Sequence, residues 1–139
     1  MRDVIALQRE VAHAITTAIR AKVTPEETAR LTRTRQVNPK AYDGYLRAVL
    51  LYSRHTSADN SAAIATLDEA LAIDRELAAA HALLAAACVE RFFTFAPQEQ
   101  KALEEKAYVA VERAIALDPD ESMAWFARGR LLWTPSNRF

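Results

Sequence analysis

The chain has 139 residues, 51% of them hydrophobic, with two glycines and one cysteine, and its 18 basic and 18 acidic side chains cancel. That length holds one domain or part of one, and with zero net charge nothing overall points to a nucleic-acid binder or to an anionic membrane. The lone Cys88 excludes an internal disulfide and a multi-cysteine metal site.

Alanine-rich composition and the absence of sustained two-residue alternation point to helices throughout. From Asp3 to Val23, residues Val4, Leu7, Val11, Ile15 and Ile19 recur every three or four positions, an apolar stripe on one helix face with Asp3 as N-cap. This stripe calls for cover from a repeat, a second copy or a further domain. Asp3 and Glu10 within the pattern argue against a signal peptide. Thr24-Pro25-Glu26-Glu27 is a second helix start, with threonine at the N-cap, proline at the first helical position and a glutamate closing a capping box. Arg30, Arg33 and Arg35 make that helix a basic connector, so residues 1–36 read as a helical connector and 37–139 as the body. Nine Lys/Arg against five Asp/Glu through Arg47 leave the rest of the chain acidic, a charge split that reads as solvated surface.

Asn38-Pro39 opens a helix to about Arg54 carrying Tyr42, Tyr45, Leu46, Val49 and Tyr52. Ala48 is expected at its close contact with a neighbour. His55 to Ser61 reads as a loop with Asn60 or Ser61 as the next N-cap, and Ile64 to Ile73 as the partner helix. Glu76 to about Phe93 forms a long helix whose apolar run, Leu77 to Val89, is interrupted by His81 and is too short to span a bilayer. After Arg91-Phe92-Phe93-Thr94-Phe95, Pro97 starts another helix that runs to Leu117. Asp118-Pro119 stops it, because proline disfavours helical backbone before it and donates no hydrogen bond. A last helix starts near Glu121 or Ser122 and places Trp125, Gly129 and Leu132 on one side. A helical glycine costs roughly 1 kcal/mol relative to alanine, so Gly129 is expected where another helix crosses. After Trp133 comes TPSNRF. Trp125, Phe126, Leu131, Leu132 and Trp133 would lack cover, which leads to the expectation of a fragment of a larger protein or a truncated reading frame.

The segments repeat. Ala63, Leu67, Ala70, Asp74, His81 and Ala85 correspond to Ala107, Val111, Ala114, Asp118, Trp125 and Gly129 at an offset of 44 residues. Such periodicity marks stacked helical units sharing one core. These residues resemble the tetratricopeptide repeat, a helical hairpin of about 34 residues with an aromatic and a small residue in its first helix, small residues in its second and a closing proline. Ala107, Val111, Ala114 and Pro119 fit the second helix; Trp125, Gly129 and Leu132 fit the next first helix. Arg128 stands where the family usually has leucine, and Arg75 replaces the closing proline. Ten extra residues are expected between the two helices of the middle unit. The resemblance implies an all-α array of antiparallel hairpins, an α-solenoid of about seven helices: two repeats plus the first helix of a third. The segments DVIALQREVAHAI, TPEETARL and NPKAYDGYLRA resemble the connector before such repeats in bacterial multidomain signalling proteins that carry a class III adenylate cyclase, a Ser/Thr kinase or a winged-helix domain. That resemblance implies a regulatory or assembly segment and transfers none of those activities.

No nucleotide, zinc-protease or nucleophile-elbow motif occurs. His13, His55 and His81 are far apart and read as packing or surface residues. Glu104-Glu105 and Asp68-Glu69 are neighbours on helices and do not face each other. The chain is therefore expected to be non-catalytic, with no cofactor or metal, binding neither nucleic acid nor membrane, and cytoplasmic, with Cys88 a small buried hydrophobe. The expected activity is protein or peptide binding on a concave face bordered by Tyr45, Val49, Tyr52, Leu84, Arg91, Arg128 and Leu132, where aromatics give contact and arginines meet carboxylates. The same tyrosines and leucines could instead pack between helices, and Arg128 could snorkel to solvent. Phe92, Phe93 and Phe95 either seal the middle unit or form a secondary contact. The alternative function is self-association through the terminal helices.

Overall fold

The computed structural model describes residues 2–22 and 37–134. The chain divides into two compact units, 1–36 and 37–139. The described residues hold six α-helices and no strand.

The first unit contains α1 (Arg2–Lys22). Val4, Leu7, Val11 and Ile15 of the stripe read from the sequence are all at least half-exposed; the Ile19 side chain lies outside the described residues. The basic connector helix, with Arg30, Arg33 and Arg35, lies outside the described residues.

The second unit contains α2 (Pro39–Ser53), α3 (Ser57–Ile73), α4 (Ala78–Glu90), α5 (Gln100–Leu117) and α6 (Ser122–Leu131). Asn38 caps α2, its side chain accepting from the amides of Lys40 and Ala41, with Pro39 at the first helical position. A three-residue turn containing His55, at φ 53°, reverses the chain into α3. The cap of α3 is Thr56, whose hydroxyl accepts from the Asp59 amide at 3.1 Å. The stretch read as a loop up to Ser61 is therefore helical, because Asn60 turns its polar group inward and not to water. α2 packs on α3, α3 on α4, and α4 on both α5 and α6.

Small residues line the contacts. Ala63, Leu67 and Ala70 of α3 and Ala107, Val111 and Ala114 of α5 are all buried; complete burial of a leucine such as Leu67 contributes roughly 2 kcal/mol. The closer approach at a glycine is at Gly44. A Cβ built there would lie 3.1 Å from Ala70 Cβ, whereas one built on Gly129 meets nothing within 4 Å. The expectation that a helix crosses at Gly129 is thus corrected: within the described residues that side of α6 is open, and the tight approach at a glycine is that of Gly44 to Ala70; Ala48 is completely buried.

α4 is the centre of the core: every residue from Ala82 to Val89 is buried. It continues as a π-helical turn, Arg91–Phe95, closed by the bond from Ala96 N–H to Arg91 C=O at 2.7 Å, and then a 3₁₀ turn, Pro97–Glu99. These turns occupy the place expected for the extra residues. They also extend the apolar helical segment to Ala78–Phe95, 18 residues, long and apolar enough by those measures to cross a membrane, with 61% of it buried inside the protein. The sequence reading of that run as too short stopped at Val89 because it did not see the helix carry on through the phenylalanines.

The 44-residue repeat extends to individual hydrogen bonds. Asp74 N–H donates to Ala70 C=O and Asp118 N–H to Ala114 C=O. Asp74 Oδ1 accepts from the Glu76 amide and Asp118 Oδ1 from the Asp120 amide, each at 3.0 Å. The ring Nε2 of His81 bonds Arg75 C=O at 2.8 Å, as Trp125 Nε1 bonds Pro119 C=O at 2.7 Å. Two turns of different sequence thus adopt one geometry.

Candidate functional site

α2, α4 and α6 place a row of aromatic and charged groups together. On α2, Tyr45, Val49 and Tyr52 are half-buried against the core. Tyr42 and Tyr45 stack with ring centroids 5.7 Å apart, and Tyr52 lies 5.7 Å from the His55 ring. Burial raises the Tyr45 phenol above its ordinary range, assisted by the Glu121 carboxylate at the start of α6. Burial also raises Tyr52, with Glu90 adding to the shift and Arg130 opposing it. The row therefore has an acidic end at Glu121 and a mixed end at Glu90 and Arg130. The Glu121 carboxyl is itself raised, first by burial and then by Asp118, against a hydrogen bond from the Met123 amide.

At the mixed end, His55 Nδ1 lies 2.6 Å from Glu90 Oε1, and the buried Asn60 donates to Ala87 C=O at 3.0 Å and to Glu90 Oε2 at 3.3 Å. Glu90 thereby ties the α2–α3 turn to the end of α4. On α6, Arg128 sits 5.5 Å from the centroid of Trp125, and Arg130 lies between Phe93 at 5.2 Å and Phe126 at 5.9 Å. Both guanidinium groups are held by rings and, among the described residues, neither has an ion-pair partner. Cation–π contacts of this kind contribute about 0.5–1 kcal/mol when exposed and fix the orientation of the donors.

Of the seven residues expected to border the face, Tyr45, Val49, Tyr52 and Arg128 are half-buried there and Leu132 is 59% exposed on α6. Leu84 is corrected: at 5% exposure it belongs to the core, because α4 is covered on every side. Arg91 is corrected as well. Its side chain is 18% exposed and reaches Glu99 at 3.4 Å, while its Nη1 is buried with no hydrogen-bond partner. The three phenylalanines divide: Phe92 is buried, Phe95 half-buried, and Phe93, 43% exposed, stacks on Phe92 and meets Arg130. Sequence reasoning missed Glu90, Asn60, Glu121 and Arg130. The signal for Glu90 was a carboxylate closing a mostly apolar helix, and that for Asn60 a polar residue one turn inside α3.

Among the described residues no group of three His, Cys, Asp or Glu side chains could hold a metal ion. Cys88 is buried, and burial pushes its thiol up to about 12, which leaves it without thiolate character at neutral pH. His81 is half-buried, and burial lowers its imidazole below the ordinary value.

No family model matches the chain, and no solved structure matches it. Among curated proteins, one named "Putative adenylate cyclase 3", from Rhizobium meliloti (strain 1021), is 34% identical over 84 residues, which is 60% of this chain and 14% of that protein. The chain is thus similar to a short part of a much longer bacterial protein whose name denotes signalling.

Proposed function

We propose that the chain is a non-catalytic scaffold segment of a bacterial signalling protein, a tetratricopeptide-like array that binds a protein or peptide segment on the side bearing α2, α4 and α6. The row of half-exposed tyrosines beside ring-stacked arginines carries this reading. Aromatic groups give contact area at low entropic cost, and arginines with unspent donors recognise carboxylates. The repeated turn geometry supports the array, and the relative's name supports the signalling context. The cyclase activity that the name states belongs to that protein as a whole. A cytoplasmic setting fits a buried, reduced Cys88.

A displayed library of random peptides, panned on the 139-residue chain, tests the reading. The expected outcome is enriched peptides rich in carboxylates, whose binding falls about tenfold or more, or by over 1.4 kcal/mol, with Tyr52→Ala or Arg128→Ala and is unchanged by Val109→Ala on the outer side of α5. Enrichment insensitive to Tyr52 and Arg128 refutes it.

A further inference from the structure

The 44-residue interval has a consequence for α6. Ala41, Ala85 and Gly129 stand at that interval, as do Gly44, Cys88 and Leu132. The first two of each set are buried, in α2, which packs on α3, and in α4, which packs on α5. The third of each set is exposed. Among the described residues, α6 therefore leaves uncovered the face that its two counterparts bury under a second helix.

The composition of that face is unusual. Trp125, Phe126, Leu132 and Trp133 are 48%, 51%, 59% and 73% exposed. At 100° per residue Gly129 lies at the centre of their arc. A glycine here costs about 1 kcal/mol of helix propensity, and among the described residues no atom within 4 Å requires it. It leaves a notch between aromatic walls, open to close approach from outside. Arg128 and Arg130 border the arc on its two sides, each held against a ring.

We propose that this open side of α6 is a docking seam for an acidic amphipathic helix of a partner protein, its small residues seated at Gly129 and its carboxylates on Arg128 and Arg130. The helices that cover the counterpart faces supply the template: Ala63–Leu67–Ala70 in α3 and Ala107–Val111–Ala114 in α5, small–large–small at i, i+4 and i+7. Charge complementarity supplies the acid. α3 itself has this chemistry, with Asp59, Asp68 and Glu69 and no Lys or Arg between Ser57 and Ile73. A second copy fits less well: two α6 faces would oppose four arginines, and each copy's α3 is already buried in its own hairpin. The seam goes beyond the reading proposed above: it shares Arg128 with that face but uses neither Tyr45 nor Tyr52, so Tyr52→Ala separates the two.

The chain's only two tryptophans, Trp125 and Trp133, both lie on this face, so their emission reports occupancy. A synthetic peptide of the sequence Ser57–Ile73, which has no Trp or Tyr, is titrated into the 139-residue protein. The expected result is a saturable blue shift. It should weaken about tenfold or more for a peptide with the three acids changed to Asn and Gln, and equally for the Gly129→Leu protein. Thermal melting should show that protein as folded as the parent, since nothing packs at that position. Tyr52→Ala should leave the titration unchanged while weakening peptide binding on the row that holds Tyr45 and Tyr52. Any of four results overturns the proposal: no saturable shift; equal affinity of Gly129→Leu, which would mean exchange with the resident α3; equal binding of the neutral peptide; or, with no peptide, a blue shift and doubled mass as protein concentration rises, which would assign the seam to a second copy.

Discussion

The two glycines offer a matched test of the packing. Both lie in helices, so replacement by alanine gains about 1 kcal/mol of propensity in each case, somewhat less for Gly129 in the last turn of α6. At Gly44 the new Cβ falls 3.1 Å from Ala70 Cβ, with Ala70 Cα at 3.9 Å and Thr66 O at 4.0 Å. Ala70 Cβ has no rotamer to change, so α2 and α3 must part by a few tenths of an ångström. Overpacking of a close contact costs typically about 1–3 kcal/mol. Gly44→Ala is therefore expected to be neutral to about 2 kcal/mol destabilising, and Gly129→Ala to stabilise by roughly 0.5–1 kcal/mol. At about 4–8 °C per kcal/mol for a domain near 100 residues, a gap of about 0.5–3 kcal/mol separates the two midpoints by roughly 2–24 °C. Urea and thermal melts followed by circular dichroism measure the gap. Adding Ala70→Gly to Gly44→Ala removes the opposing methyl and should recover the strain, visible as a favourable coupling in the double-mutant cycle. If Gly44→Ala stabilises as much as Gly129→Ala, the α2–α3 crossing is not this close and the account of the seam fails.

Further outcomes follow from burial and titration. His81 has a lowered folded pKa, so the unfolded chain binds more protons in the window just below the ordinary imidazole value; stability should fall as pH drops through that window, and His81→Gln should flatten the profile in pH-dependent melts. Glu121 has a raised folded pKa, so the folded chain binds more protons above the ordinary carboxyl range; stability should decline as pH rises from there, and Glu121→Gln should stabilise at pH 7 but not at pH 3. With its thiol at about 12, Cys88 should react with a thiol reagent at pH 8 about three orders of magnitude more slowly than a free cysteine, even before its burial is counted, and become fully reactive in denaturant; rapid reaction under native conditions contradicts the packing of α4. The 139-residue chain should form no cyclic AMP from ATP above a buffer control, and measurable product would refute the scaffold reading.

Much of the second unit was legible in the sequence, and the reasons are local. Asp118-Pro119 ends α5 at Leu117 by backbone sterics, and the 44-residue spacing of small residues marks both hairpin seams. The start of α3 was misread because its first turn is polar on the outside, and only the structure shows Asn60 buried. Gly129 drew attention and Gly44 did not, since a residue's type states a capacity for close contact and not whether a neighbour uses it. Leu84 and Arg91 were placed on the face by helical periodicity, which assumes one wet side; α4, buried from Ala82 to Val89, has none. The π turn had no signature at all: its bonds depend on how Phe92 and Ala96 are packed by the surrounding helices.

The repeat also carries a polar element that residue-by-residue matching cannot reveal. Asn60, one turn into α3, reaches Glu90 at the end of α4; 44 residues on, Glu104 in α5 meets the Thr134 hydroxyl after α6 at 2.9 Å. The residue types differ, amide with carboxylate against carboxylate with hydroxyl, yet each pair spans from a second helix to the end of the next first helix. Thr134 Oγ1 also lies 2.9 Å from Leu131 C=O, as Asn60 Nδ2 lies 3.0 Å from Ala87 C=O; the two carbonyls stand 44 residues apart, although their donors come from opposite members of the pairs. A buried polar group left without its partner costs about 1–3 kcal/mol, whereas alanine seams such as Ala63–Leu67–Ala70 tolerate a slip of one turn with little loss of contact. The polar pairs therefore penalise the misregistered stackings that the small-residue seams would permit. In a chain whose helices meet mostly through alanine, register has to come from such pairs, and their cost is small beside the alternative packings they exclude.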